Sequence, residues 1–380
     1  MLRGCSCSMT EERQAWRERF NQETRAVGKS AKMNRGMMTR RRFLRTTGFG
    51  ALGGVLSFNV PKWGNAQVSR ERQSRVSLIE GDSRADNIFR SLKLIEQDVI
   101  KVLPTKKRVL IKPNLVSQTR QLAATHVDCI EAILEFLQPL VRDEIIIGES
   151  PAQGSAAKGY SNYGYYGLQK KYNVKFLDLD DESFVITHVI DERYRPQPIR
   201  FSRLLLDPNM FVISVAVMKT HDLAVATLSL KNIAVGGPIK DKGFSWAARG
   251  SAKSDKPVIH GGPACKGIHY NLFTLAKLAP PDLAVIDGFR GMEGNGPVAG
   301  TPVDHRVAIA STDWLSADRI AVELMDFDFN KIGYLWLSTR EGLGQGHLSR
   351  IEVLGEKVRN HIHRYRPHDN IDSQYDSMKG

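Results

Sequence analysis

The sequence predicts an α/β protein with a mainly parallel sheet, helices on both faces and a small antiparallel excursion. Three observations predict it. From about Arg75 onward, short apolar runs alternate with segments of helical period. Four of those runs end at once in polar clusters, as parallel strands do where they feed loops. The stretch Ser183–Phe201 alternates apolar and polar residues and contains two prolines, which suits an antiparallel pair set apart from the main sheet.

Taken in order, Arg108–Ile111 is a compact buried strand that ends at Lys112-Pro113-Asn114. Pro113 keeps the backbone extended and donates no hydrogen bond, so its two neighbours are presented at a fixed offset. Val127, Ile130, Ile133, Leu134, Leu137, Leu140 and Val141 recur at helical spacing. The strand Glu144–Ile147 runs into the turn Gly148-Glu149-Ser150-Pro151. The tyrosine-rich loop 159–167 is expected to pack over the sheet rather than cap a ligand. Val174–Leu177 is the next strand, and Phe211–Val217 is the longest clear one, leading into Lys219-Thr220-His221 and then Leu230-Lys231-Asn232. Helix 268–278, strand Leu283–Ile286, strand Val307–Ala310 and helix 314–325 continue the alternation. Residues 67–363 make up the α/β domain, and the polar segment 364–380 is expected to be a flexible end.

The polar clusters carry the candidate chemistry. If the strands before them are neighbours and parallel, Lys112/Asn114, Glu149/Ser150, Lys219/His221 and Asp287 with its glycine-rich loop meet on one rim. Lys112, Lys219 and Lys231 offer ammonium groups for an anion, and Asn114 and Asn232 offer amides to orient it. Burial lowers a lysine pKa, so one of these amines could also act as a base. Five glycines follow Asp287, up to Gly300, and would let backbone N–H groups approach a ligand. The run lacks the Gly-Lys-Ser/Thr ending of a nucleotide loop, so ATP is not indicated. His221, His260 and His269 with Glu149, Asp287 or Glu293 are possible metal ligands, but no pair has a diagnostic spacing, so the metal stays open.

The N-terminus reads differently. Thr39-Arg40-Arg41-Arg42-Phe43-Leu44-Arg45 precedes an apolar stretch from Gly48 to Val60, and Gly64-Asn65-Ala66 supplies small residues for cleavage after Ala66. This order resembles a twin-arginine export signal, with Met37 or Met38 as the start of a signal of normal length. The expectations are recognition by the twin-arginine translocase and a periplasmic or otherwise extracytoplasmic mature protein. The apolar stretch is too short to span a bilayer, so no stable transmembrane anchor is expected. Gly48-Phe49-Gly50-Ala51-Leu52-Gly53 matches a dinucleotide expression but follows an arginine cluster instead of a strand. The formal charge of +13 is also concentrated here: residues 1–66 hold 13 of the 54 Lys+Arg and 4 of the 41 Asp+Glu. That leaves a net +4 on the remainder, and no nucleic-acid surface is implied. After export only Cys129 and Cys265 remain, one in an apolar helix pattern and one in a glycine-rich loop. Two cysteines cannot build a four-cysteine iron–sulfur cluster.

In order along the chain, Val-Leu-Ile-Lys112-Pro-Asn-Leu, Ile-Gly148-Glu149-Ser, Val-Met-Lys219-Thr-His221, Leu-Lys231-Asn232, Ile-His269-Tyr-Asn271, Ile-Asp287-Gly and Met-Glu293-Gly-Asn295-Gly-Pro297 resemble the domain-of-unknown-function family 362. Ala310-Ser311-Thr-Asp313 followed by Ala317-Asp318 extends the resemblance, which covers roughly residues 75–355. The family's activity is in general unassigned. Some members carry cysteine-rich ferredoxin-like segments, and this chain departs from that pattern. The resemblance implies a shared pocket and leaves its chemistry open.

The leading expectation is an exported enzyme acting on a small anionic substrate. Glu149, Lys219 and His221 would carry acid–base work; Lys112, Asn114, Lys231, Asn232, His269, Asp287, Glu293 and Asn295 would bind. The alternatives are a non-catalytic ligand- or metal-binding protein of the cell envelope and a structural partner in an exported complex.

Overall fold

A computed structural model describes residues 73–245, 251–261 and 264–376. The export-signal reading and the dinucleotide-like glycines lie outside the described residues. The chain runs β1 (Ser74–Glu80), α1 (Arg84–Leu94), α2 (Glu96–Val102), β2 (Arg108–Lys112), α3 (Val127–Leu137), β3 (Ile145–Glu149), α4 (Ala156–Asn162) and β4 (Val174–Asp178). There follow β5 (Phe184–Ile190), β6 (Pro196–Ser202), β7 (Met210–His221), β8 (Val225–Thr227), α5 (Ser229–Gly236), α6 (Lys256–His260) and α7 (Ala264–Leu278). The last elements are β9 (Leu283–Glu293), β10 (Thr301–Val303), β11 (Val307–Ser311), α8 (Trp314–Leu324), α9 (Gly333–Arg340), β12 (Ile351–Gly355) and α10 (Ile371–Asp376).

The sheet order is β12-β1-β11-β9-β7-β2-β3-β4, with β10 on β9 and β8 on β7. From β9 to β4 every pairing is parallel. Only β11, between β9 and β1, runs antiparallel to both of its neighbours in that order. The expected excursion is the antiparallel pair β5–β6, registered from Phe184 opposite Ser202 to Ile190 opposite Pro196.

Strand alternation divides the apolar residues between two cores, one on each face. Leu110, Ile146, Val212, Ala284 and Ile309 pack with Leu230, Ile233, Ile268, Leu272, Ile320 and Leu335, which come from α5, α7, α8 and α9. Val109, Ile111, Ile145, Ile147, Ile213 and Val285 pack with Ile88, Leu92, Ile130, Leu134 and Tyr160 from α1, α3 and α4. Burial of each large aliphatic side chain stabilises by roughly 1.5–3 kcal/mol, so both faces fix the strand register. The helix starts have identifiable caps: Ser83 accepts from Asp86 N before α1, and Asp313 accepts from Leu315 N and Ser316 N before α8.

Chain order gives this sheet a switch point. β3 and β4 are added to one side of β2, and β7 then pairs on its other side. Connections leave in opposite directions between β2 and β7, opening a crevice at their carboxyl ends.

Three expectations are corrected. Strand β9 does not stop at Ile286 but continues to Glu293, because β10 and β11 extend its ladder. Cys265 lies in helix α7, buried and free, not in a glycine-rich loop; Cys129 is a buried core thiol as read. Residues 365–376, expected to belong to a flexible end, are anchored by buried side chains. Tyr365 is 1% exposed and Gln374 fully buried, with Gln374 accepting from Val225 N and donating to His221 O. The tyrosine loop packs as expected, since Tyr160 and Tyr165 are buried and Tyr160 Oη donates towards the Ile147 and Leu177 carbonyls. No helix among the described residues is long and apolar enough to cross a membrane.

Candidate functional site

A cavity of about 390 Å³ lies at the switch point. Lys112 from the end of β2, Glu149 and Ser150 from the end of β3, and His221 from the end of β7 line it. Lys231, Asn232 and Gly236 enter from α5, and Lys256 and His260 from α6. Pro297 and Val298 form part of the rim. Helix α5 has no N-cap side chain of its own. Asp318 of α8 takes that role, accepting from Ser229 N at 2.8 Å and Leu230 N at 3.3 Å. Burial raises the Asp318 carboxyl to about 7 against these hydrogen bonds.

The floor of the cavity is a fully buried polar network. Lys112 Nζ donates to Glu149 Oε1 at 2.7 Å, to Asn232 Oδ1 at 3.1 Å and to the Pro113 carbonyl at 3.0 Å. Glu149 also accepts from Ser150 N at 2.7 Å and Leu115 N at 2.8 Å, so both oxygens face donors. Asn114 donates to Asn232 Oδ1 at 3.1 Å and accepts from Lys219 Nζ at 2.7 Å. Lys219 Nζ completes its contacts on the Ala123 carbonyl at 3.0 Å. It lies beneath the cavity, fully buried. Gly236 is required at its position: a Cβ there would occupy the space of Lys112 Cε and Nζ.

Above this floor the partners run out. Lys231 is 4% exposed, and its ammonium makes no hydrogen bond or ion pair with any described residue. Burial lowers it to about 7, against the attraction of Asp222. Burial and the charge of Lys231 lower Lys219 to about 7 as well. Lys256 is also brought to about 7, chiefly by burial, while it donates to the carbonyls of Pro238 at 2.7 Å and Val235 at 3.2 Å near the end of α5.

Two imidazoles complete the wall. His221 and His260 stack with ring centroids 5.9 Å apart. His260 Nδ1 is 2.9 Å from the Lys256 carbonyl, which only accepts, so that nitrogen carries the proton and Nε2 carries the lone pair. His221 Nδ1 meets Leu223 N at 3.0 Å and Asp222 Oδ1 at 2.9 Å. It can therefore accept the backbone N–H or hold a proton towards Asp222 without moving. Burial, then the charge of Lys231, lower His221 to about 3 and His260 to about 4. Neither Nε2 has a hydrogen-bond partner among the described residues.

Six of the expected residues thus line one cavity: Lys112, Asn114, Glu149, His221, Lys231 and Asn232, with Lys219 directly under Asn114. Four do not reach it. Asp287 lies inside β9, paired to Arg84 Nε at 3.0 Å beside a separate cavity of about 240 Å³. Glu293 accepts from Arg366 N, and Asn295 exchanges hydrogen bonds with Asp369, so the C-terminal segment covers both. His269 is buried, its Nδ1 accepting from Tyr334 N and its ring stacked on Tyr334. Asp222, Thr227 and Lys256 join the cavity without having been grouped there from sequence, and His260, read from sequence only as a possible metal ligand beside His221 and Glu149, lines it too. His221-Asp222 adjacency was a legible signal. Lys256 follows no strand, and nothing in its neighbourhood announces it.

No group of three or more His, Cys, Asp or Glu that could hold a metal ion occurs among the described residues. Their two cysteines are both free, so they do not furnish a four-cysteine cluster.

Among characterised proteins, the chain is similar to a thylakoid-associated protein of Synechocystis sp., 26% identical over 245 residues, which is 62% of this chain and 68% of that protein. Two solved structures align at 14% identity. One is a Thermotoga maritima protein, TM-score 0.40, covering 69% of this chain and 60% of that one. The other is the lactate racemase apoprotein of Thermoanaerobacterium thermosaccharolyticum, TM-score 0.39, covering 68% of this chain and 58% of that one. The chain therefore spans about three fifths of the length of these two proteins. The profile of the family described as "Domain of unknown function (DUF362)" matches residues 109–323. That is more than half of the chain, and it holds every strand end that builds the cavity: the protein belongs to the DUF362 family.

Proposed function

We propose that the switch-point cavity binds a small anionic ligand and performs acid–base chemistry on it. The observation that carries this reading is Lys231: a buried ammonium with no partner among the described residues, facing a cavity. An unpaired buried charge is costly, and a folded protein retains one where a ligand completes it. Around it, Lys112, Lys219, Lys231 and Lys256 outnumber Glu149 and Asp222, so an anion balances the site. Glu149 is committed to three donors and serves to hold Lys112. The proton-transfer roles therefore pass to Lys231 and to the free Nε2 atoms of His221 and His260.

Calorimetric titration with acetate, malonate and inorganic phosphate tests the reading. At least one should bind at pH 7, with affinity reduced roughly tenfold or more in Lys231→Met. Absence of binding by all three, or equal binding by the variant, would count against it.

The export reading belongs to the same proposal. Protein made in a host with a twin-arginine translocase should appear outside the cytoplasm with Gln67 as its first residue. Retention in the cytoplasm at full length would reject it.

A further inference from the structure

We propose that Lys231 is a covalent nucleophile that forms a Schiff base with the oxo group of a small 2-oxo acid. The inference rests on the anion-binding reading of the cavity and names its substrate class.

Three features carry it. The first is the amine itself, which has no hydrogen-bond partner among the described residues and lines an open cavity. The other lysines at this site are engaged: Lys112 by Glu149, Lys219 by Asn114 and Ala123, Lys256 by the Val235 and Pro238 carbonyls. An amine already donating to several oxygens is poorly placed to attack, and Lys231 is free of that constraint. The second feature is burial. It favours the neutral, nucleophilic amine against the attraction of Asp222, and desolvation is one way lysines are activated for carbonyl chemistry. The third is the pair of imidazoles. His260 presents a lone pair at Nε2, fixed by the Nδ1 contact with the Lys256 carbonyl, and His221 stacks on it.

The step balances without an oxidant or reductant. The Nζ lone pair attacks the carbonyl carbon, forming the C–N bond as the C=O π pair moves to oxygen, and His260 Nε2 takes a proton from nitrogen and passes it to that oxygen. The resulting hydroxyl leaves with the second amine proton as water, and a C=N bond remains. The substrate carboxylate meets the ammonium groups of Lys256 and Lys112, which line the same cavity. That pairing is why a 2-oxo acid suits the site better than a simple aldehyde.

The test is reductive trapping on the full exported chain. Wild type and Lys231→Met are incubated with glyoxylate or pyruvate and sodium cyanoborohydride at pH 7, and modified peptides are located by mass spectrometry. Binding of acetate, malonate and phosphate is measured in parallel without reductant. The expected result is one adduct at Lys231, forming at least ~10-fold faster than adducts at exposed lysines and absent from Lys231→Met. Adducts scattered over surface lysines would overturn the proposal. If any of the three binds but Lys231 stays unmodified, the Schiff base is wrong and the anion site stands. If acetate, malonate and phosphate all fail to bind and Lys231 stays unmodified, both readings fall. Thermal melting of Lys231→Met establishes that the variant is folded, so a missing adduct reports chemistry.

Discussion

Replacing Lys231 by Met should make the protein more stable. The side chains are similar in length and apolar volume, so the change removes a buried charge without opening a cavity. Lowering an ammonium from 10.5 to about 7 corresponds to roughly 5 kcal/mol at ~1.4 kcal/mol per pH unit, or about 3–5 kcal/mol once water in the open cavity is allowed for. With about 300 folded residues, the unfolding entropy is roughly 0.6 kcal/mol/K, so the variant should melt ~5–8 °C higher at pH 6. The sign follows from proton counting. Between pH 7 and 10.5 the unfolded chain holds a proton on this amine that the folded chain has lost, so wild-type stability rises with pH across that window. The penalty is complete below pH 7 and gone above 10.5. The gain in Lys231→Met should therefore be greatest near pH 6 and shrink towards pH 10. Differential scanning calorimetry of both proteins from pH 6 to 10 measures it. A variant that melts below wild type at pH 6 would show that Lys231 is structurally paired, and the argument for a ligand-completed charge would be lost.

Glu149→Gln should behave in the opposite way, because it strands Lys112 in the floor and sets an amide donor against a backbone N–H. Breaking a buried pair costs ~3–5 kcal/mol, a fall in melting temperature of ~5–8 °C, and a loss under 2 °C would show that the network is not holding the site. Deleting residues 364–380 removes the buried Tyr365 and Gln374, and truncating a buried aromatic alone costs ~3–5 kcal/mol. The shortened chain should melt at least ~5 °C lower; unchanged melting would restore the view of a free tail.

Much of this site was legible because a parallel sheet converts sequence into position. Lys112, Glu149 and Lys219-Thr-His221 each follow an apolar run, and β2, β3 and β7 being neighbours and parallel brings those ends together. Lys231 and Asn232 were legible for a second reason: the short link after β7 leaves α5 little freedom to go elsewhere. Asp287 failed because the same pattern does not say how far a strand continues. Gly288 and Gly291 look like a loop, yet β10 and β11 keep the ladder going past them, so Asp287 stays in the strand. Glu293 and Asn295 were claimed by Arg366 and Asp369, partners more than 70 residues away that no local signal predicts. Lys256 is the plainest omission. Its position depends on how the segment after β8 folds back over α5, and tertiary packing alone decides that. The glycine at 236 carried information too, since its lack of a side chain is what lets Lys112 reach Glu149.

The central claim is that the cavity holds an ammonium awaiting an anion, and calorimetric titration of wild type with malonate from pH 6 to 9 tests it most directly. Non-covalent capture needs protonated amines, and Lys231, Lys219 and Lys256 all titrate at about 7. Malonate should bind most tightly below pH 7, weaken as the pH rises through 8, and draw protons from the buffer as it binds near pH 7.5. An affinity that stays constant from pH 6 to 9 with no proton uptake, or no binding at all, would contradict the account.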